Sequence, residues 1–309
     1  MKNCYNIEKL WHYTDTINKL PELKKPVHVR IYPTNKCNHN CEYCTYKNPN
    51  LGLGGLYDRN DSIPYDKMVE IINNLSQLGC KAVTISGGGE PLLYPKIRET
   101  LQLFKYYNIP VGLYTNGSLL KGDLARWVKS HVSWVRISID GHDNESYSKI
   151  RGVSLGEFDK VIQNMKEYQD LPGKGRLAVA VNIIRKGNKY FDIDLKKKLE
   201  SIGIERIQYR FVDEDKDDLR GPEKTYDWCP ISLISPVIGA DLKIWSCCDK
   251  AYNDDVGIMG DLNYNTLIDW YNESHSLLNP CLDCKHKCLG HDKNVRIFRY
   301  LEAEDKGFI

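Results

Sequence analysis

The sequence predicts an α/β fold, an open partial (β/α)6 barrel followed by a small cysteine-rich C-terminal domain. Three observations carry that expectation. Between residues 27 and 211, short apolar β-branched runs alternate with amphipathic segments, the pattern of βαβ units on a parallel sheet. Six such units are present, two short of the eight that close a barrel. None of the 11 cysteines falls between Cys80 and Cys229, so the thiols serve two separate regions.

The elements follow in order. Strands are expected at Val27–Tyr32, Ala82–Ser86, Pro110–Tyr114, Trp134–Ile139, Leu177–Ile184 and Arg206–Phe211, each rich in β-branched or aromatic residues. Helices are expected at Tyr65–Leu78, Pro95–Tyr107, Lys121–His131, Leu155–Gln169 and Leu195–Ser201. Val212–Lys224 is charged, contains Pro and Gly, and reads as a solvated linker. The boundaries are therefore 1–211 for the barrel, with an N-terminal extension over 1–26, and 212–309 for the linker and second domain. Within the latter, Leu233–Ile238 and Leu242–Ser246 read as a hairpin turning at Gly239-Ala240-Asp241, followed by a helix near Asn265–Ser274. So short a segment buries little core, and an internal metal centre would help to hold it.

Composition narrows the class. Lys and Arg number 43 against 41 Asp and Glu, a net +2 that excludes a polybasic nucleic-acid binder. No run of 18 apolar residues exists, so neither a transmembrane span nor a membrane partner is expected. Met1–Lys25 is too polar for a signal-peptide core. An odd number of cysteines without an export signal argues for a cytoplasmic protein with reduced thiols serving as metal ligands. Cys4 and Cys80 stand alone and read as small buried side chains.

Cys37, Cys41 and Cys44 follow the first strand directly, at the strand end where parallel-sheet enzymes place chemistry. Three thiolates are one short of a structural zinc site. They suit a [4Fe–4S] cluster with one iron left open for an exogenous ligand. Cys-x3-Cys-x2-Cys with Tyr43 before the last Cys resembles the radical S-adenosylmethionine (radical SAM) superfamily. That resemblance implies S-adenosylmethionine on the open iron, one-electron cleavage of its carbon–sulfur bond, and a 5′-deoxyadenosyl radical. It also places Tyr43 against the adenine.

Supporting motifs occur in the family's order. Gly87-Gly88-Gly89-Glu90-Pro91 follows the second strand and resembles the motif for the methionine amino group, with Glu90 as the acceptor. Thr115-Asn116-Gly117 follows the third strand and Ser138-Ile139-Asp140-Gly141 the fourth. Asn116, Ser138 and Asp140 resemble positions near the methionine carboxylate and ribose, and Arg151 is expected to pair with the carboxylate. The resemblance covers roughly Val27–Phe211.

The second group, Cys229-x17-Cys247 with Cys281-x2-Cys284, supplies four thiolates for zinc or an auxiliary [4Fe–4S] cluster. It resembles the SPASM or twitch extension of radical SAM enzymes. The full SPASM pattern has seven cysteines and two clusters, whereas six are present here, so the one-cluster twitch form fits better. Cys248 and Cys288 are then spare. In an extended strand Cys248 would face away from Cys247, toward the barrel, as a candidate hydrogen-atom donor.

These readings imply an oxidoreductase or epimerase that abstracts a C–H hydrogen from a small polar substrate, a sugar or aminocyclitol. The resemblance implies an external electron donor of the flavodoxin or ferredoxin kind. About 26 residues precede the first strand, too few for a leader-peptide-binding domain, so a ribosomal peptide substrate is the alternative. A non-enzymatic metal–sulfur protein is the remote one. His39, His142 and His291 are candidate bases among which the sequence does not choose.

Overall fold

All six expected barrel strands form, and alternation along them sets the two faces of the sheet. The computed structural model describes residues 12–303 except 49, 52, 184–192, 212–223, 254, 274–277, 280–283, 285–287 and 289. After a short helix α1 (Thr14–Ile17), the strands are β1 (His28–Ile31), β2 (Ala82–Ile85), β3 (Val111–Thr115), β4 (Trp134–Ile139), β5 (Arg176–Ile183) and β6 (Ile207–Phe211). Between them lie α2 (Tyr65–Gln77), α3 (Ile97–Tyr106), α4 (Gly122–His131), α5 (Asn144–Arg151), α6 (Glu157–Asp170) and α7 (Ile193–Ser201). Every neighbouring pair from β1 to β6 is parallel.

One residue in two along each strand is fully buried against the helices: Val29 and Ile31, Val83 and Ile85, Val111 and Leu113, Val135, Ile137 and Ile139. They meet Met68, Ile71, Ile72 and Leu75 of α2 and Leu101 and Phe104 of α3 in one continuous core. On α2 these side chains recur at i, i+3, i+4 and i+7, the stripe that makes a helix amphipathic. The opposite, concave face carries His28, Arg30, Tyr114, Trp134 and Arg136. Cys80 is buried, as expected of a structural thiol, and Cys4 lies outside the described residues.

The C-terminal segment continues the same sheet. Helix α8 (Pro230–Ile234) leads into β7 (Val237–Ile238), β8 (Lys243–Trp245) and β9 (Ile258–Asp261), followed by α9 (Leu267–Asn272) and α10 (His291–Glu302). Strand β7 pairs parallel with β1, and β8 and β9 continue antiparallel. The nine-stranded order is β6-β5-β4-β3-β2-β1-β7-β8-β9, an unclosed sheet. The linker expected over 212–224 lies outside the described residues except for Lys224.

Three details differ from expectation. The expected hairpin forms as β7 and β8, but its first strand is shorter than expected, since Leu233 and Ile234 end helix α8, which Pro230 opens at a position where a missing N–H costs nothing. Strand β9 carries Gly260, which interrupts the strand pattern. Helix α5 follows Asp143, whose carboxylate accepts from the Ser146 amide at 2.8 Å in a capping box.

Candidate active site

The cysteine loop after β1 is held from two sides. From one side, the C-terminus of α5 supplies two carbonyls: the Asn40 amide donates to Arg151 O at 2.9 Å and the Glu42 amide to Ile150 O at 3.0 Å. Gly152 ends α5 at φ 58°, and a Cβ there would stand 2.5 Å from Asn40 O. Both the left-handed backbone and the close approach require glycine. From the other side, the Glu90 amide donates to Lys36 O at 2.8 Å, and Tyr57 donates to Asn35 O at 2.7 Å.

The glycines before Glu90, expected at the cofactor, also let two loops approach closely. A Cβ on Gly89 would lie 2.2 Å from Lys36 O, and one on Gly88 2.3 Å from Asn35 Oδ1. Gly88 and Gly89 therefore pack the β2 loop against the cysteine loop, and Gly87 packs on Gly89 and Thr34. Glu90 is 2 % exposed. Its carboxylate accepts from the Leu92 amide at 3.0 Å, Thr115 Oγ1 at 2.6 Å and the Asn116 amide at 2.7 Å. Burial pushes its pKa up, and these donors oppose that rise. A carboxylate offers about four lone-pair sites, so one remains for an ammonium donor.

Asn116 joins this network to the cysteine loop, donating from Nδ2 to Asn38 Oδ1 at 2.8 Å. Tyr43 donates its hydroxyl to Asp140, which also pairs with Arg151. The Arg151 guanidinium donates to Ser138 O at 2.6 Å and to Cys41 Sγ at 3.7 Å, and lies 5.9 Å from the Tyr43 ring centre. Arg151, expected to pair with a ligand carboxylate, here makes an internal ion pair with Asp140, which follows the end of β4. The other Asp140 oxygen, Oδ1, is buried without a hydrogen-bond partner, as are Arg151 Nε, Asn35 Oδ1 and His39 Nδ1.

Of the three candidate bases, His39 is 3 % exposed, shares a hydrogen bond with Ser118 Oγ at 2.7 Å, and is held by burial at a pKa of about 4. It is a neutral core histidine. His142 lies 3.5 Å from Asp143 on the surface side, and His291 stacks on Tyr226. Neither stands in the cysteine loop.

A second thiol group forms an apolar cavity under α10. Cys229, Cys247, Cys284 and Cys288 line it with Tyr226, Ile231 and Asn294. Cys288 therefore joins the group from which the sequence reading left it out; Cys281 lies outside the described residues. Asn294, 1 % exposed, donates to Cys229 Sγ at 3.3 Å while its Oδ1 accepts from the Ile231 amide at 3.1 Å. Burial pushes the Cys229 and Cys247 thiols up; the Cys284–Cys288 hydrogen bond pulls Cys284 down to about 7 and raises Cys288. Among the described residues, no three His, Cys, Asp or Glu side chains converge on the position of a single metal ion.

Cys248 points elsewhere, but not because of strand alternation. Strand β8 ends at Trp245, and Cys247 and Cys248 lie beyond it where the Ala251 amide donates to Cys247 O at 3.1 Å. That turn separates the two side chains. Cys248 packs against the cluster of Tyr32, Val237, Trp245, Ala251 and Tyr252, beside Arg30, and burial raises its pKa to about 11.

The unclosed parallel sheet and the three-thiol loop at its strand ends define an enzyme of the radical SAM type. A family model described as the radical SAM superfamily matches residues 31–184, and the chain belongs to that superfamily. Its cofactors are a [4Fe–4S] cluster and S-adenosylmethionine, and the donors present fit both. Three thiols on one loop suit the cluster, while the fourth lone pair of Glu90 and the unpartnered Asp140 Oδ1 suit an ammonium and a hydroxyl. Among curated relatives, a GTP 3′,8-cyclase of Helicobacter pylori is 27 % identical over 188 residues, 60 % of this chain and 55 % of that one. A probable GTP 3′,8-cyclase of Methanocaldococcus jannaschii is 33 % identical over 161 residues, 50 % and 51 %. An S-adenosylmethionine-dependent nucleotide dehydratase of a Thermoplasmatales archaeon is 24 % identical over 184 residues, 60 % of each. The chain spans about half the length of the curated relatives it matches. Among solved structures, anSMEcpe with bound AdoMet superposes with a TM-score of 0.60 at 15 % identity, covering 81 % of this chain and 78 % of that one. Streptococcus suis SuiB bound to S-adenosylmethionine gives 0.55 at 16 %, covering 88 % and 72 %. At these identities the likeness is one of fold.

Proposed function

We propose that this radical SAM enzyme epimerises a small polar substrate such as a sugar, using Cys248 to return a hydrogen atom, with a second [4Fe–4S] cluster held by Cys229, Cys247, Cys284 and Cys288. When bound, the first cluster and S-adenosylmethionine supply a carbon-centred radical that abstracts a hydrogen atom from a substrate C–H bond. Cys37, Cys41 and Cys44 hold that cluster. Glu90 accepts from the methionine ammonium, Asp140 Oδ1 from a ribose hydroxyl, and Arg151 holds Asp140 in place. Tyr43 and Asn116 brace the loop from beneath, with Ser138 O fixing the guanidinium.

The observation that carries the epimerase reading is a thiol beyond the end of β8, Cys248, that lies outside the lining of the thiol cavity and beside Arg30 of the concave face. The substrate radical takes hydrogen from the Cys248 S–H bond. The thiyl left behind regains the thiol by accepting one electron from an external donor and one proton from solvent. Dehydrogenation is the variant in which the substrate radical loses an electron and a proton, and it needs no Cys248. The names of the cyclase and dehydratase relatives favour a second reading of the substrate, as a nucleotide. Peptide modification has the likeness of fold to SuiB in its support.

The test is turnover in D2O with reconstituted protein. Epimerisation through Cys248 puts solvent deuterium on the product carbon, and Cys248→Ala keeps its iron, still cleaves S-adenosylmethionine, and forms no epimer. Product without solvent deuterium would replace epimerisation by dehydrogenation.

A further inference from the structure

The concave face of the barrel carries a half-buried cation that the radical chemistry does not use. Arg30 extends from β1 on the face opposite the helix-packed Val29 and Ile31. Its surroundings are the Tyr32 hydroxyl, to which it hydrogen-bonds, Tyr114 of β3, and Cys248. Among the described residues no Asp or Glu pairs with it. Holding a guanidinium partly out of water without a carboxylate beside it costs solvation free energy, and an incoming anion would offset that cost.

The neighbours strengthen the point. Tyr114 stands between Arg30 and a second guanidinium: Arg136 donates from Nη1 to Tyr114 Oη at 2.8 Å, and its guanidinium lies 5.0 Å from that ring and 5.7 Å from Trp134. Two arginines on adjoining parts of one face, separated by phenol and indole rings, give a positive, partly aromatic floor. His28, the remaining titratable group on this side of β1, bonds Ser235 Oγ at 2.9 Å and Thr84 Oγ1 at 2.8 Å, and burial holds it neutral with a pKa of about 4. It adds no negative charge. The carboxylates at the strand ends, Glu90 and Asp140, are taken up by Thr115, Asn116, Tyr43 and Arg151.

We infer that the substrate carries an oxyanion, a phosphate or a carboxylate, and that Arg30 binds it on the concave face beside Cys248. The inference rests on the concave face being the substrate site and adds the charge class. A guanidinium fork matches two oxygens of such a group, and the Tyr114 hydroxyl offers a further polar contact. An amino sugar would bring a second cation beside Arg30 and be disfavoured. The class is therefore a phosphorylated or carboxylated small molecule rather than a free aminocyclitol.

The test uses reconstituted holoenzyme saturated with S-adenosylmethionine, so that the cofactor's own carboxylate does not compete for the site. Binding is read by tryptophan fluorescence and calorimetry with inorganic phosphate, glucose 6-phosphate, glucuronate, glucose and glucosamine. The expected result is at least about tenfold tighter binding of the phosphate or carboxylate form than of glucose, the scale of one charge-assisted contact, with glucosamine weakest. Phosphate-only preference assigns a phosphoryl group, and equal preference for glucuronate assigns a carboxylate. Arg30→Met abolishes the preference, and Arg30→Lys, which keeps the charge but loses the fork, restores part of it. Equal affinity of wild type for charged and neutral probes overturns the inference, as does a preference that survives Arg30→Met. The wild-type comparison needs no variant, so a misfolded one does not leave the question open. Failure of wild type to release 5′-deoxyadenosine under reduction would strike the radical reading itself, a separate outcome from the loss of anion preference.

Discussion

At Cys248, two neighbouring thiols of the same chemistry are given different surroundings. Cys247 lines the thiol cavity, while Cys248 packs among tyrosines beside Arg30. The sequence raised the contrast by leaving one cysteine over, but the turn after β8, not the strand pleat, separates them. Removing Cys248 as alanine should leave iron content unchanged; a fall of about four Fe, one cluster, would make it a ligand instead. Glu90 makes a second residue-scale prediction. Its carboxylate satisfies the Asn116 and Leu92 amides, so alanine would orphan buried donors and confuse binding with folding. Glu90→Gln keeps an acceptor and removes the charge. It should weaken S-adenosylmethionine binding by about 1–3 kcal/mol in equilibrium dialysis, the scale of one hydrogen bond to a charged group. Unchanged binding would remove Glu90 from the ammonium site.

Elements decide how the loops are held. Helix α5 stood outside the expected helices, yet it presents two carbonyls to the cysteine loop and carries Arg151 to Cys41. Its signal was present in Asp143-x-x-Ser146 and in Gly152, but a short helix with few apolar positions has no periodicity to find. Gly152→Ala meets both a left-handed backbone and the Asn40 carbonyl, so it should lower the iron bound at the first site while the second stays loaded, read by Mössbauer spectroscopy. Helix α10 is the second such element. It brings Asn294 to Cys229, and its charged sequence gave little sign of the buried side. Cys288 joins Cys284 just before it. Cys288→Ser should therefore remove about four Fe per chain, the content of one cluster. Full iron in that variant, together with loss in Cys281→Ser, would restore the ligand set read from spacing.

For the molecule as a whole, reconstitution should give about 8 Fe and 8 S per chain, two cubane clusters. Iron that never exceeds one cluster would sink the second site. Stability should also depend on pH through His28, held near pKa 4 in the folded state against 6.5 for the free side chain. The unfolded chain takes up its proton first as pH falls, so stability is intact above about pH 6.5 and declines toward pH 4, by on the order of 1–3 kcal/mol. His28→Gln should flatten that decline in denaturation melts; an equally steep decline would place the titrating group elsewhere. No described helix is long and apolar enough to cross a membrane.

The chain order of apolar runs determined the six strands, their parallel pairing and the place of the first cysteine motif, because each is a local property of period and spacing. What only the tertiary structure decided is which distant groups meet: β7 joining β1, Cys288 joining Cys229, Arg151 turning to Asp140, and Arg30 standing beside Cys248. Those meetings depend on how residues far apart in the chain pack against one another, and no local pattern in the sequence encodes them.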